Sequence, residues 1–152
     1  GNRVRIDDFC IISPSSRPFS IGSHIHIGPY SSLIGGESIT MRDFSGLSAR
    51  VTIYSSSDDY SGMYMTNPMV PEMYRNVVSK PVLLGRHVIV GAGAVILPGV
   101  TVGDSSAIAA MSLVTKSVKE GMVAGGVPCR AIRPRLTEHL SLERKMRGDQ
   151  GG

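Results

Sequence analysis

Two aspartates and three cations are the side chains of this sequence best suited to chemistry. Asp58 and Asp59 close the run SSSDD. Carboxylates in such a run can take a proton from a reacting group or hold a donor in line for attack. The same short polar residues also close turns through side-chain to backbone hydrogen bonds. Lys116, Arg130 and Arg133 fall in the stretch VTKSV and the following AGGVPCRAIR. Three cations in one region suit an anionic ligand, held by charge-assisted hydrogen bonds; the other reading is ordinary charged surface. Cys10 and Cys129 lie far apart with no CxxC pairing, so they make neither a zinc site nor a disulfide framework.

The elements that must position these groups emerge from internal repeats. Written in sixes from Ile21, the chain places Ile21, Ile27, Leu33, Ile39, Ser45 and Val51 at the first position, with a lapse at Ser45. A second set from Leu84 places Leu84, Val90, Ile96, Val102, Ile108 and Val114 there, and Val88, Ala94, Val100, Ser106, Ser112 and Val118 at the fifth. A period of six is neither helical nor the plain alternation of a half-buried strand. It predicts a solenoid in which each unit forms one side of a narrow coil, the first and fifth positions point inward, and three units close an eighteen-residue coil. Ile6 and Ile12 extend the pattern towards the start, with an insertion around Ser13 to Pro18. A sandwich of short strands would not hold one period through six consecutive units.

The period fails over Tyr54 to Lys80, a stretch rich in Ser, Asp, Asn and Pro that holds Met63, Met65, Met69, Met73 and four of the five tyrosines. A long excursion from a regular scaffold is functional or disordered, and its apolar residues favour docking on a neighbouring surface. After Val118, Leu136, Leu140 and Met146 among charged residues predict a short amphipathic helix that caps the open end, with Asp149 to Gly152 frayed. His24 and His26 at the fourth and sixth places of a hexad face outward, as surface residues or as the lining of a cleft between subunits; His87 reads as structural.

Composition narrows the class. Eighteen glycines among 152 residues exceed the usual share of about 7% and mark many tight turns, and with no Trp the core must be aliphatic. The net charge of +4 admits an anionic ligand, but the cations form no stripe interleaved with aromatics, so no nucleic acid is expected. No apolar run reaches about eighteen residues, so no membrane span is expected, and the cytoplasm is the default compartment.

From Ile6 to Arg133 the hexads resemble those of the hexapeptide-repeat acyltransferases. That resemblance implies an all-β, left-handed parallel β-helix: a domain over 1–135 with a loop excursion at 54–80, then a capping helix and tail over 136–152. The opening at Gly1 in mid-repeat leads to the expectation of further residues upstream. VTKSV and AGGVPCRAIR resemble the terminal signature of galactoside- and maltose-type sugar acetyltransferases, which implies acetyl-CoA as acyl donor, with contacts at Ala92, Ala110, Thr115, Lys116, Arg130 and Arg133. The small residues of GAGAV and IAAMS would let a thin pantetheine arm lie against the coil. Where galactoside-type enzymes carry a loop histidine as base, this sequence has Asp58. The loop SSSDDYSGMYMTNPMVPE is more similar to a subgroup that acylates the 4-amino group of a nucleotide-linked 4-amino-4,6-dideoxy sugar in O-antigen assembly. The resemblance therefore implies N-acetylation of a nucleotide-linked amino sugar, with Asp58 and then Asp59 as the assisting carboxylate, in a homotrimer whose loops reach over the adjacent subunit. A sugar or antibiotic O-acetyltransferase and a non-catalytic solenoid are the other readings. The histidine spacings do not supply the three-histidine zinc set of a γ-class carbonic anhydrase, and no metal is expected.

Overall fold

The structure, a computed structural model, describes residues 1–13 and 17–149. The core of the Ser13 to Pro18 insertion and the tail beyond Asp149 lie outside the described residues. The chain winds into a β-solenoid with three faces of parallel strands. The first face stacks Val4–Ile6, Ile25–Ile27, Gly46–Leu47, Ile89–Val90, Ala107–Ile108 and Met122–Gly125, and Arg130–Pro134 folds back antiparallel on the last of these. The second face stacks Ile11–Ile12, Ser32–Ile34, Thr52–Tyr54, Val95–Ile96 and Leu113–Val114; the third stacks Phe19–Ile21, Ile39–Met41, Val82–Leu84 and Thr101–Val102.

The hexad arithmetic holds strictly in the C-terminal half. Leu83 pairs with Thr101, Ile89 with Ala107 and Val95 with Leu113, so each coil there takes eighteen residues. First-position residues from Leu84 to Val114 are all buried, as are the fifth-position residues from Val88 to Ser112. In the N-terminal half the first coil is longer by three, with Val4 opposite Ile25 and Ile11 opposite Ser32, and the second by two, with Phe19 opposite Ile39, His26 opposite Gly46 and Ser32 opposite Thr52. The two extra residues of the second coil sit at the turn after Ile34, where Gly35 has φ +145° and a Cβ would strike Ser55 and Ser56, a conformation and a closeness that only glycine tolerates.

This slip explains Ser45. Past Gly35 the aliphatic slot moves onto Met41, Leu47 and Ile53, all buried, and Ser45 enters the small slot that Ser106 and Ser112 fill elsewhere. The hydroxyls of these buried serines donate to backbone carbonyls, Ser45 to Arg42, Ser106 to Lys119 and Ser112 to Ala109, each at 2.7 Å. A buried hydroxyl so paired avoids the cost of an unmade hydrogen bond and pins the turn beside it.

The C-terminal helix, Glu138–Asp149, does not lie across the end of the stack. It follows the corner between the third and first faces: His139 Nε2 is 3.1 Å from the Ser105 hydroxyl, Glu143 meets His87 and Arg86, and the Arg147 guanidinium lies 5.3 Å over the Phe44 ring. Beneath it, His24, Phe44 and His87 stack as a ladder, with ring centroids 4.5 and 4.9 Å apart. Glu143 is the hub of this contact, 2.5 Å from His87 Nε2 and 2.6 Å from both Arg86 and Arg147. Burial alone would raise its carboxyl; the hydrogen bonds from His87 and Arg147 and the positive charge of Arg86 outweigh that and hold it down at about 2, against an ordinary 4.5.

A carboxyl depressed in the folded state stabilises the fold fully above its ordinary value, and the contribution is lost as pH falls towards the folded value. Helix attachment is therefore expected to weaken between about pH 4.5 and 2. Glu143→Gln should flatten the acid limb of a pH series of thermal unfolding over that interval; an unchanged limb would show that this contact carries no pH-dependent stability.

Candidate active site

The corner between the first and second faces is built from turns at residues 7–10, 28–31, 48–51, 91–94 and 109–112. Ala92 and Ala110 lie on successive coils of this corner, both exposed, and the Met111 N–H donates to the Ala92 carbonyl at 2.9 Å. At Gly91 a Cβ would run into the backbone of Ala109 and Ala110, so the turns are stacked as tightly as glycine allows and leave a shallow, small-residue track. Arg130 and Arg133 pair opposite Gly125 and Val123 on the terminal hairpin of the first face. Segment 126–129 continues over the second face, where Leu113 donates to the Gly126 carbonyl and accepts from the Cys129 N–H.

Thr115 and Lys116 lie instead at the corner between the second and third faces, across the strand Leu113–Val114. The six residues assigned to the coenzyme therefore form two groups within one chain: Ala92, Ala110, Arg130 and Arg133 on one side of the second face, Thr115 and Lys116 on the other. The cationic side chains of Lys116, Arg130 and Arg133 are exposed and make no ion pair among the described residues. Arg130 and Arg133 each donate to a neighbouring carbonyl, of Cys129 at 2.9 Å and of Pro134 at 3.2 Å, which holds the guanidinium groups close to the hairpin. Burial pushes the Cys129 thiol up, which leaves it a poor nucleophile.

The long loop leaves the coil at the same second corner and returns through an antiparallel clamp, Ser56–Ser57 against Val78–Ser79. Asp58 and Asp59 follow the clamp directly, and the structure gives them different surroundings. Asp59 is consumed by its own turn: its carboxylate accepts from the Ser61 hydroxyl at 2.7 Å, the Ser61 N–H at 3.0 Å and the Gly62 N–H at 3.1 Å. The Ser61 hydroxyl is the main cause of a carboxyl held below its usual range. Among the described residues the Asp58 carboxylate accepts only the Asn67 N–H, at 3.4 Å, and keeps most of its hydrogen-bonding capacity.

The histidines are engaged elsewhere. His24 belongs to the ladder under the C-terminal helix, and His26 Nε2 lies 2.8 Å from Asp7 Oδ2. No group of three or more His, Cys, Asp or Glu is placed to hold a metal ion among the described residues. Among the described residues no helix is long and apolar enough to cross a membrane.

Comparisons with known proteins fit this arrangement. The family model for the bacterial transferase hexapeptide (six repeats) matches residues 81–116. The dTDP-4-amino-4,6-dideoxy-D-glucose acyltransferase of Escherichia coli is 44% identical over 143 residues, spanning 94% of this chain and 74% of that protein. The galactoside O-acetyltransferase of Escherichia coli K12 is 37% identical over 76% of this chain and 56% of its own. Among solved structures, AntD, an N-acyltransferase from Bacillus cereus in complex with dTDP and 3-hydroxybutyryl-CoA, superposes with a TM-score of 0.94 at 40% identity, over 99% of this chain and 79% of that one. With its parallel β-solenoid, its interrupted hexads and this likeness along nearly its whole length, the chain belongs to the hexapeptide-repeat acyltransferases.

Proposed function

We propose that this protein transfers an acyl group from acyl-coenzyme A to the 4-amino group of a dTDP-linked 4-amino-4,6-dideoxy sugar. The observation that carries this reading is a solved neighbour, 41% identical over 98% of the chain, that is a variant of AntD in complex with dTDP-4-amino-4,6-dideoxyglucose and coenzyme A. The chemistry of the loop supports it. An alcohol needs a strong base as it attacks a thioester, whereas a neutral amine is itself nucleophilic, so a carboxylate that orients it suffices.

The variants of that neighbour alter one aspartate and a serine ten positions before it. Asp58 is the one aspartate of this chain with a serine ten positions earlier, Ser48. Asp58 is thus the carboxylate we assign to the amine; Ser48, on the corner that also bears Ala92 and Ala110, lies across the second face from the loop within one chain and would meet the same amine only from a neighbouring copy. Sequence reading passed over Ser48 because it stands in a turn rich in small residues. In the reaction the amine nitrogen bonds to the thioester carbon, the carbon–sulfur bond breaks, and the proton released by the amine leaves on the thiol of coenzyme A. Lys116, Arg130 and Arg133 hold the coenzyme phosphates, with Thr115, Ala92 and Ala110 along its arm.

A homotrimer completes the site in this reading. The coenzyme residues fall on two corners of one chain, and the loop leaves Tyr60, Met63, Met69 and Met73 largely exposed, an apolar arm that a neighbouring copy would cover. Both substrates are made inside the cell, which supports a cytoplasmic enzyme, and nucleotide-activated sugars feed surface polysaccharides such as O-antigen. Thiol release from acetyl-CoA, measured across a panel of nucleotide-linked amino and hydroxy sugars and simple galactosides, is expected to be fastest with the dTDP-linked 4-amino sugar. Faster acylation of a plain galactoside would overturn the acceptor assignment.

A further inference from the structure

The turns at the first corner, between the first and second faces, each place a residue in the left-handed region: Phe9, Tyr30, Arg50, Gly93 and Met111, with φ of 62°, 61°, 58°, 70° and 57°. The N–H groups of Gly93 and Met111 donate to the carbonyls of Ala49 and Ala92 on the coils before them, at 3.0 and 2.9 Å, so these residues form a column along the corner. Side chains of the column lie against one another. Phe9 and Tyr30 stack with centroids 5.1 Å apart, and the Arg50 guanidinium lies 5.3 Å over the Tyr30 ring. Gly93 interrupts the series, and the space its side chain would take is held from the next coil. The heavy atoms nearest to a Cβ placed on Gly93 would be Sδ, Cε and Cγ of Met111, at 2.5, 3.8 and 3.9 Å.

The backbone at position 111 does not call for methionine. At such φ values glycine or asparagine is the easy residue and a longer side chain is disfavoured. Met111 is 72% exposed, so burial does not offset that strain, and strained positions of this kind concentrate at functional sites. Ala110 and Ala92 directly precede Met111 and Gly93, and the Ser48 turn is one coil further on. In the proposed function the coenzyme arm runs past Ala110 and Ala92 and the thioester reacts at the level of Ser48, which puts Gly93 beside the carbonyl carbon. Successive coils are about 5 Å apart. An acetyl group ends at its methyl, whereas a longer acyl chain must continue along the corner. The opening in the column is the glycine position that Met111 fills.

We infer that Met111 sets the length of the acyl group: its thioether occupies the recess at Gly93 and favours acetyl-CoA over donors with longer chains. An unbranched methionine adapts its shape, so the recess is narrowed and longer chains are transferred slowly. The transfer step is the same for every donor: the amine nitrogen bonds to the thioester carbon, the carbon–sulfur bond breaks, and the released proton leaves on the thiol of coenzyme A. This inference rests on the proposed function, since it takes the arm to lie on Ala92 and Ala110 and the acceptor to be an amino sugar.

Thiol release by the intact protein is measured with the dTDP-linked 4-amino sugar and acetyl-, propionyl-, butyryl- and hexanoyl-CoA. The parent is expected to favour acetyl-CoA over butyryl-CoA by about tenfold or more in kcat/KM, and Met111→Gly to raise the butyryl-to-acetyl ratio about 10- to 100-fold. Adding Gly93→Ala to that variant puts a methyl into the vacated recess and should return the ratio towards the parent's, while Met111→Leu, which keeps the volume, should hold it within about threefold. Glycine suits the φ of position 111 and the side chain removed is exposed, so Met111→Gly is expected to fold, which thermal unfolding checks. An unchanged ratio in Met111→Gly, with the parent active, overturns the inference and leaves the proposed function standing; so does a parent that prefers butyryl-CoA. Equal losses with every donor, together with weaker binding of coenzyme A itself, would place Met111 on the arm common to all donors and overturn the inference as well. A parent inactive towards the amino sugar with every donor overturns the proposed function and the inference with it.

Discussion

Asp58→Asn is expected to lower kcat for the dTDP-linked amino sugar by about a hundredfold or more, the usual range for removing a positioned proton acceptor, while leaving the affinity for acyl-coenzyme A within about twofold. The amide keeps the size and one acceptor oxygen but loses the charge that draws the ammonium into the site and the basic oxygen that can accept its proton. Because the Asp58 carboxylate is held by one long hydrogen bond from Asn67, the substitution should leave the loop folded. Asp59 supplies the contrast. Its carboxylate closes the turn over Ser61 and Gly62, so Asp59→Asn should affect the sugar KM through a loosened loop more than it affects kcat. Steady-state kinetics on both variants read the difference, and near-normal turnover in Asp58→Asn would remove that aspartate from the mechanism.

The second large effect lies in the scaffold. Ile96 is fully buried, stacked between Ile53 on the preceding coil and Val114 on the following one. Ile96→Ala removes apolar volume from a column whose neighbours are fixed by strand pairing on both sides and cannot close the gap. A loss of about 2–5 kcal/mol is expected, read as a shift in the midpoint of denaturant unfolding. Ser20, outward on the third face and exposed, provides the control, since Ser20→Ala should stay within about 0.5 kcal/mol. In a stack where each coil touches only its neighbours, the Ile96 cavity is also expected to split unfolding into unequal steps.

The solenoid was legible because its core is periodic. Leu84 to Val114 recur at six and are buried at six, with no dependence on distant parts of the chain. The N-terminal half was read correctly in kind and wrongly in phase, because two inserted residues at Gly35 and Gly36 leave the spacing of aliphatics nearly intact while moving them from one inward slot to the other; only the lapse at Ser45 betrayed the shift. The path of the C-terminal helix was hidden for a different reason. It depends on Glu143 meeting His87, 56 residues away, and on a ring ladder whose members are far apart in sequence. Residue type pointed to Asp58, Asp59 and the cations as candidates, but the difference between the two aspartates lies in the Ser61 hydroxyl and the backbone N–H groups that surround Asp59 and leave Asp58 with the Asn67 N–H. The aromatics of the first corner escaped notice because Phe9 and Tyr30 stand 21 residues apart and meet only when the coil closes.

The antiparallel clamp of Ser56–Ser57 with Val78–Ser79 brings the loop's exit and return side by side on one corner, and the parallel pairing of Gly46 with Ile89 and of Thr52 with Val95 continues across the gap as though nothing intervened. The twenty residues between the two clamp strands form a cassette whose length and content impose nothing on the coil below. The segment that carries Asp58 can therefore be lengthened, shortened or exchanged among descendants of one scaffold while the core beneath it is inherited unchanged.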